Sequence, residues 1–150
     1  MAGQVKTVPC KACGEPANPR ARGCKRCSRL LNRIDPRGRP DKDARVRALV
    51  AAWDREGRVF RCCYSGVPLL TDVEDRSSPR YFSWDHTNPG EEGEVVVCAL
   101  VVNDMKSDMT IEEFNRLIRV LSRRLEGGPG AEPDDFVLQR FHRGDKARPR

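Results

Sequence analysis

The stretch YFSWDHTNPGEEGEVVVCALVVNDMKSD (residues 81–108) holds two runs rich in aromatic and β-branched residues, separated by a Pro/Gly/Glu loop. Tyr81 to His86 and Glu94 to Val102 have the composition of strands, and the loop from Thr87 to Gly93 lets them pair as a long hairpin. Asn103 to Asp108 is polar, at the point where the second strand gives way to a helix. Downstream, Thr110 and Glu113 make a capping box. They open a helix whose apolar face carries Ile111, Phe114, Leu117, Ile118, Leu121 and Leu125, before Gly127-Gly128-Pro129 stops it. Upstream, RVFRCCY (58–64) reads as a short strand or hairpin arm running into the turn Ser65-Gly66-Val67-Pro68. Before it, Asp41 or Asp43 caps a helix with Val46, Leu49, Val50 and Trp53 on one face, ending near Gly57. The expectation is an α+β domain over residues 41–127, its two strands flanked by helices.

Composition limits what else the chain can be. With 150 residues, 38% hydrophobic and 33% charged, there is room for one modest domain and small appendages, which excludes a large multidomain enzyme. No apolar run approaches the roughly 20 residues that span a bilayer. The start MAGQVKTVPC lacks the apolar core of a secretory leader, so an intracellular, soluble, cytoplasmic protein is expected, with no membrane partner. The net charge of +6 is uneven: residues 1–40 hold ten basic side chains against Glu15 and Asp35, while residues 41–150 carry a net −2. A basic N-terminal quarter suits a polyanion, DNA before others, and a solubilising arm is the plain alternative.

That quarter also holds the cysteines that matter most. Cys10-Lys-Ala-Cys13-Gly14 and Cys24-Lys-Arg-Cys27 can supply four tetrahedral thiolates to structural Zn²⁺, with Gly14 easing the knuckle. A segment of about 20 residues without a core cannot offset its own ordering entropy, so the metal has to contribute folding energy. The expected zinc ribbon or knuckle covers residues 8–30, a basic linker 31–40, and a Pro/Arg-rich tail 128–150, in which Phe136, Val137, Leu138 and Phe141 are able to dock. Four thiolates leave no open position, so this zinc is not catalytic. Its expected role is to present Arg20, Arg22, Lys25, Arg26 and Arg29 to a phosphate backbone, aided by Arg37 and Arg39 of the linker. Arg37-Gly38-Arg39-Pro40 resembles the core of an AT-hook, with an ordinary basic linker as the alternative. Cys62, Cys63 and Cys98 are expected to be buried as small apolar residues, because adjacent cysteines alternate sides of a strand. Trp53 and Trp84 are expected in the core.

Asp85-His86 at a strand end, followed by Asn103 to Asp108, resembles the HNH nuclease family. Asn103-Asp-Met-Lys106-Ser107-Asp108 in particular is similar to the Asn-x-x-Lys-Ser-Asp segment in the HNH domain of RNA-guided CRISPR nucleases, and the likeness covers roughly residues 58–110. The resemblance implies a small ββα-metal fold, Asp-His on the first strand and Asn on the following helix. It also implies a phage, mobile-element or restriction setting, and so the host cytoplasm for a phage protein.

Chemistry assigns the roles. Phosphodiester hydrolysis needs an activated water and a cation for the scissile phosphate. An imidazole such as His86 is suited to take a proton near neutral pH. Asp85 and Asn103 offer the hard oxygens that Mg²⁺ or Mn²⁺ prefers, and Lys106, one turn beyond Asn103, holds phosphate. A regular strand puts Asp85 and His86 on opposite faces, so a bend or bulge is expected there. Many HNH proteins carry a middle Asn where this chain has Glu94, and Asp104 and Asp108 are further ligand candidates with capping or surface roles as alternatives. Acidic Glu91, Glu92 and Glu94 would repel DNA unless offset by cations or the basic module. The expected function is metal-dependent nicking or cleavage of double-stranded DNA, with a homodimer if both strands are cut. The alternatives are a non-catalytic zinc-containing DNA-binding or regulatory protein and a protein-binding zinc adaptor.

Overall fold

The computed structural model describes residues 6–21, 23–32, 42–88 and 95–129. The linker arginines Arg37 and Arg39, Arg22, Asp41, the acidic Glu91, Glu92 and Glu94, and the tail apolar residues from Phe136 to Phe141 lie outside them. The described residues form a mixed α and β protein with short antiparallel strand pairs and four α-helices. It forms two compact units, residues 1–86 with 91–105 and residues 87–90 with 106–150.

In the first unit, β1 (Val8–Pro9) pairs with β2 (Pro16–Ala17), and α1 (Lys25–Leu31) follows. The next helix, α2 (Lys42–Ala52), ends earlier than its sequence suggests, and Trp53 belongs instead to β3 (Trp53–Asp54), paired with β4 (Val59–Phe60). The buried face of α2 is also different: Ala44, Arg45, Ala48, Leu49 and Ala52 face inward while Val50 is exposed. Alanines at four-residue spacing let the helix approach closely, and α2 packs on β6 (Val95–Ala99). Arg45 is accommodated because its guanidinium lies 5.6 Å from the Trp84 ring centre and donates to the Leu31 carbonyl at 3.0 Å.

The β3–β4 turn is organised by Asp54, whose carboxylate accepts from the N–H groups of Glu56 and Gly57 and from Arg61 Nε. Beyond β4 the expected strand over 58–64 shortens to a hairpin arm. Arg61 bridges Pro68, and the chain reverses through residues 63–65. In that reversal Cys62 N–H donates to Val67 O, Gly66 N–H donates to Cys62 O, and Gly66 has φ +70°.

The central hairpin is β5 (Phe82–His86) against β6, in register from Phe82↔Ala99 to His86↔Val95. The pairing is one to one throughout, so the bulge expected at Asp85-His86 is absent from it. The second strand is shorter than its β-branched run suggests, since Leu100 already begins α3 (Leu100–Lys106). The switch is set by distant carbonyls: Leu100 N–H donates to Tyr81 O and Val101 N–H to Pro79 O, satisfying donors that a helix start leaves open.

Four rings run through the core of this unit, Trp53 to Phe60 to Phe82 to Trp84, with centroids 4.9, 6.4 and 5.0 Å apart. Leu30, Leu49, Val97 and Cys98 close around them. Burying side chains of this size contributes about 1.5–3 kcal/mol each. The four-cysteine module is built into this core. Trp84 Nε1 donates to Leu30 O at 3.3 Å, Arg26 lies 4.9 Å over Trp53, and Arg58 pairs with Glu15.

The second unit contains α4 (Ile111–Leu125). Its capping box is present as expected: Thr110 Oγ1 accepts from Glu113 N–H, and Glu113 Oε2 accepts from Thr110 N–H at 2.8 Å. Its stop is also as expected, with Gly127 at φ +83° donating to Arg124 O and Gly128 donating to Arg123 O. The buried stripe, however, runs through Glu113, Phe114 and Val120, while Ile118, Leu121 and Leu125 are exposed. The carboxylate of Glu113 turns back to cap the helix and is buried there.

Candidate functional site

The N-terminal cysteines converge. Backbone bonds from Cys10 N–H to Glu15 O and from Gly14 N–H to Cys10 O, both 2.8 Å, fold the first pair into a knuckle, with Gly14 at φ +73°. The second pair sits at the start of α1, where Cys24 is the N-cap and its sulfur accepts from Cys27 N–H. The Sγ atoms of Cys10, Cys13, Cys24 and Cys27 lie within 4.8 Å of one another, and all four residues are buried. Cys13 to Cys24 and Cys13 to Cys27 measure 3.6 and 3.4 Å. Tetrahedral thiolates at Zn–S ~2.3 Å stand ~3.8 Å apart, so this donor set fits zinc with a small expansion.

Electrostatics favours metal over free thiols. Burial pushes the Cys10 thiol up, but backbone N–H groups of Cys24, Cys13 and Ala12 outweigh it and bring it down to about 7. Burial holds Cys13 and, further, Cys27 above the usual thiol range, with the sulfurs of Cys13 and Cys24 adding to the rise at Cys27. A cation at the centre removes the penalty of crowding these sulfurs together.

Around the module, Arg26 and Arg29 have work inside the fold. Arg26 covers Trp53 and Phe60, and Arg29 donates to Thr71 O and Asp72. Arg26 is half-buried, while Arg29, Arg20 and Lys25 are exposed.

The second cluster lies on the central hairpin. Ser83 and Asp85 alternate with Trp84 along β5 and so share a face, about 7 Å apart. Asn103, on α3, reaches that face: its Nδ2 donates to Ser83 Oγ at 2.9 Å. Its Oδ1 is buried with no hydrogen-bond partner among the described residues. Asp85 is 1% exposed, and its Oδ2 accepts from Tyr64 Oη at 2.6 Å. Burial and the charge and hydrogen bond of Asp85 push the Tyr64 phenol well up, which keeps it a donor.

His86 is partly exposed and, by strand alternation, on the opposite face. Lys106, expected to hold phosphate beside Asn103, is fully buried. Asp104 and Asp108 are exposed, as is Cys63, while Cys62 and Cys98 are buried as expected.

Tyr64 and Ser83 are the residues sequence reasoning misses here. Tyr64 packs against the core and meets Asp85 across 21 positions of chain, and nothing near it in the sequence marks that partner. No protein family, curated protein or solved structure matches the chain.

Proposed function

We propose that the protein is a metal-dependent endonuclease of the HNH type that hydrolyses phosphodiester bonds in double-stranded DNA, with β5, β6 and α3 as its ββα-metal element. The observation that carries this reading is that Asn103, whose Oδ1 is buried without a hydrogen-bond partner among the described residues, bonds Ser83 on the face of β5 that also holds the buried carboxylate of Asp85. A buried polar atom without a partner is costly, about 1–3 kcal/mol, and an ordered water or a bound ion compensates it. An amide oxygen and a carboxylate are hard donors, which suit Mg²⁺ or Mn²⁺, not a soft metal. Bound there, the cation supplies charge neutralisation for the scissile phosphate and the leaving oxygen.

The side chains do the rest. Asp85 and Asn103 hold the site, and Tyr64 and Ser83 fix the two ligands in place. His86 is the last residue of β5 and lies on the face opposite Asp85, so it serves as base only by reaching round the strand end; there it takes the proton from the attacking water as the water oxygen bonds phosphorus and the bond from phosphorus to the leaving oxygen breaks. Lys106 is left out of this machinery because its side chain is buried. The zinc module, with Arg20 and Lys25 exposed beside it, contributes DNA affinity. One such site nicks one strand, so a double-strand cut requires a homodimer or two events.

The test is supercoiled plasmid with Mg²⁺ or Mn²⁺, with and without EDTA, beside His86→Ala and Asn103→Ala. Metal-dependent nicking lost in both variants is the expected result. An intact plasmid, or a His86→Ala protein that cuts as well as wild type, refutes the assignment and favours a non-catalytic zinc protein that binds DNA.

A further inference from the structure

Beside the four-cysteine knuckle, within the first unit, lies an open cavity of about 470 Å³. Its size falls in the range of small-ligand clefts, roughly 300–1,000 Å³. The knuckle forms one wall through Lys11 and Glu15, α2 lends Val50, and the β3–β4 hairpin supplies Trp53, Arg55 and Arg58. Val50 is 49% exposed and Trp53 half-buried, so part of the lining is apolar and open. Lys11, Arg55 and Arg58 are exposed, and Glu15 is the one carboxylate in the lining. Arg58 pairs with Glu15, whereas Lys11 and Arg55 make no hydrogen bond or ion pair among the described residues. Arg58 also has φ +50°, in the left-handed region that suits glycine and strains an arginine. Where glycine would fold the turn at less cost, the chain carries a guanidinium, and strain of this kind gathers at functional sites.

From these features we infer that the cavity is a subsite for an unpaired nucleotide of the DNA strand, its base resting against Trp53 and Val50 and its flanking phosphates held by Lys11, Arg55 and Arg58. The inference rests on the nuclease reading above for the identity of the polymer, and adds to it a grip on the strand made by residues that take no part in cutting. An aromatic side chain with exposed cations beside it is how proteins hold single strands, because every base has a π face and every nucleotide a phosphate. Paired bases are already stacked on one another and do not reach such a floor, so the site selects opened DNA. Arg26, whose guanidinium lies 4.9 Å from the Trp53 ring centre, braces that floor from the zinc module. The Cys10 sulfur behind the knuckle wall is buried and meets backbone N–H groups of Cys24, Cys13 and Ala12, so its charge does not cancel the cations at the rim.

The experiment uses the full chain loaded with zinc, without Mg²⁺ or Mn²⁺, so that binding is read apart from cutting. The probes are a labelled oligothymidylate of about 12 nucleotides and a duplex of the same length, followed by anisotropy and by tryptophan emission. The single strand should bind more tightly than the duplex and quench Trp53, the more open of the two indoles. Arg55→Ala and Arg58→Gly should each raise the dissociation constant about fivefold at about 0.1 M salt and flatten the salt slope by about 0.7, the loss of one phosphate contact on a single strand. Arg58→Gly decides the matter, because it relieves the left-handed residue: its melting temperature should hold or rise while its affinity falls. Wild-type affinity in both variants, or a duplex bound as well as the single strand, overturns the inference. A lower melting temperature in Arg58→Gly beside wild-type affinity in Arg55→Ala assigns Arg58 to the fold and also overturns it. Plasmid nicking by a protein that does not bind the single strand overturns the subsite and leaves the nuclease reading standing. Binding that behaves as expected in a protein that never nicks overturns the nuclease reading and leaves the subsite in place.

Discussion

Replacing Cys27 by serine should do far more than unravel a small appendage. Cys27 is fully buried, and a serine hydroxyl is a poor zinc ligand, so the Cys27→Ser module loses the metal that organises it. Three attachments to the main core then loosen. Leu30, fully buried, gives up about 1.5–3 kcal/mol of apolar burial. The bond from Trp84 Nε1 to Leu30 O is worth about 1 kcal/mol. The Arg26 guanidinium over Trp53 adds about 0.5–1 kcal/mol. Together the loss is about 3–5 kcal/mol, a large share of the 5–15 kcal/mol typical of a domain. At ~4–8 °C per kcal/mol for a unit of about 100 residues, Tm should fall by roughly 12–40 °C. Fluorescence of Trp53 and Trp84 reports the melt directly, because both rings sit at the junction. A Cys27→Ser protein that has lost its zinc yet melts within a few degrees of wild type would show that the module is thermally independent, and the reasoning fails.

Two other outcomes follow from the same geometry. Because burial holds Cys13 and Cys27 above the usual thiol range, both are protonated at pH 7 in the metal-free fold, and zinc must expel their protons. Calorimetry in buffers of different ionisation enthalpy should therefore count at least two protons released per zinc, and affinity should rise with pH by about a hundredfold per unit near neutrality; release of none refutes it. Cys10 works in the opposite sense: its lowered value, about 7, favours the folded metal-free state above its ordinary 9.0, an advantage lost as pH falls through 7. Thr110→Ala removes one half of the capping box at α4 and should cost about 1 kcal/mol, read as a lower urea midpoint with unchanged slope; no shift would mean that the cap is dispensable.

What the sequence disclosed and what it withheld divide along the range of the interactions. The Cys10–Cys13 and Cys24–Cys27 spacing, the Thr110–Glu113 cap and the Gly127 stop are local devices, complete within a few residues, and the structure carries all of them. The failures come from partners far along the chain. Leu100-Val101-Val102 has strand composition, but the carbonyls of Tyr81 and Pro79 meet its N–H groups and start a helix. On α2 Leu49 faces inward as its period implies, but the other inward residues are three alanines and an arginine, which leave little apolar period, while exposed Val50 supplies a false one. Asp85 and Asn103 stand out in the sequence by residue type and spacing. Their supports Tyr64 and Ser83 do not, because nothing nearby in the chain marks a hydroxyl as a partner to a group 20 positions away.

The reversals at residues 10–14 and 62–66 match in backbone. Both backbones close on a bond from the glycine N–H to the first cysteine's carbonyl and on a single left-handed glycine, so the two turns share a path while their inner positions differ. The first spends those positions on thiols that converge with Cys24 and Cys27, and the second sets Tyr64 against Asp85. One backbone shape thus carries two kinds of side-chain chemistry.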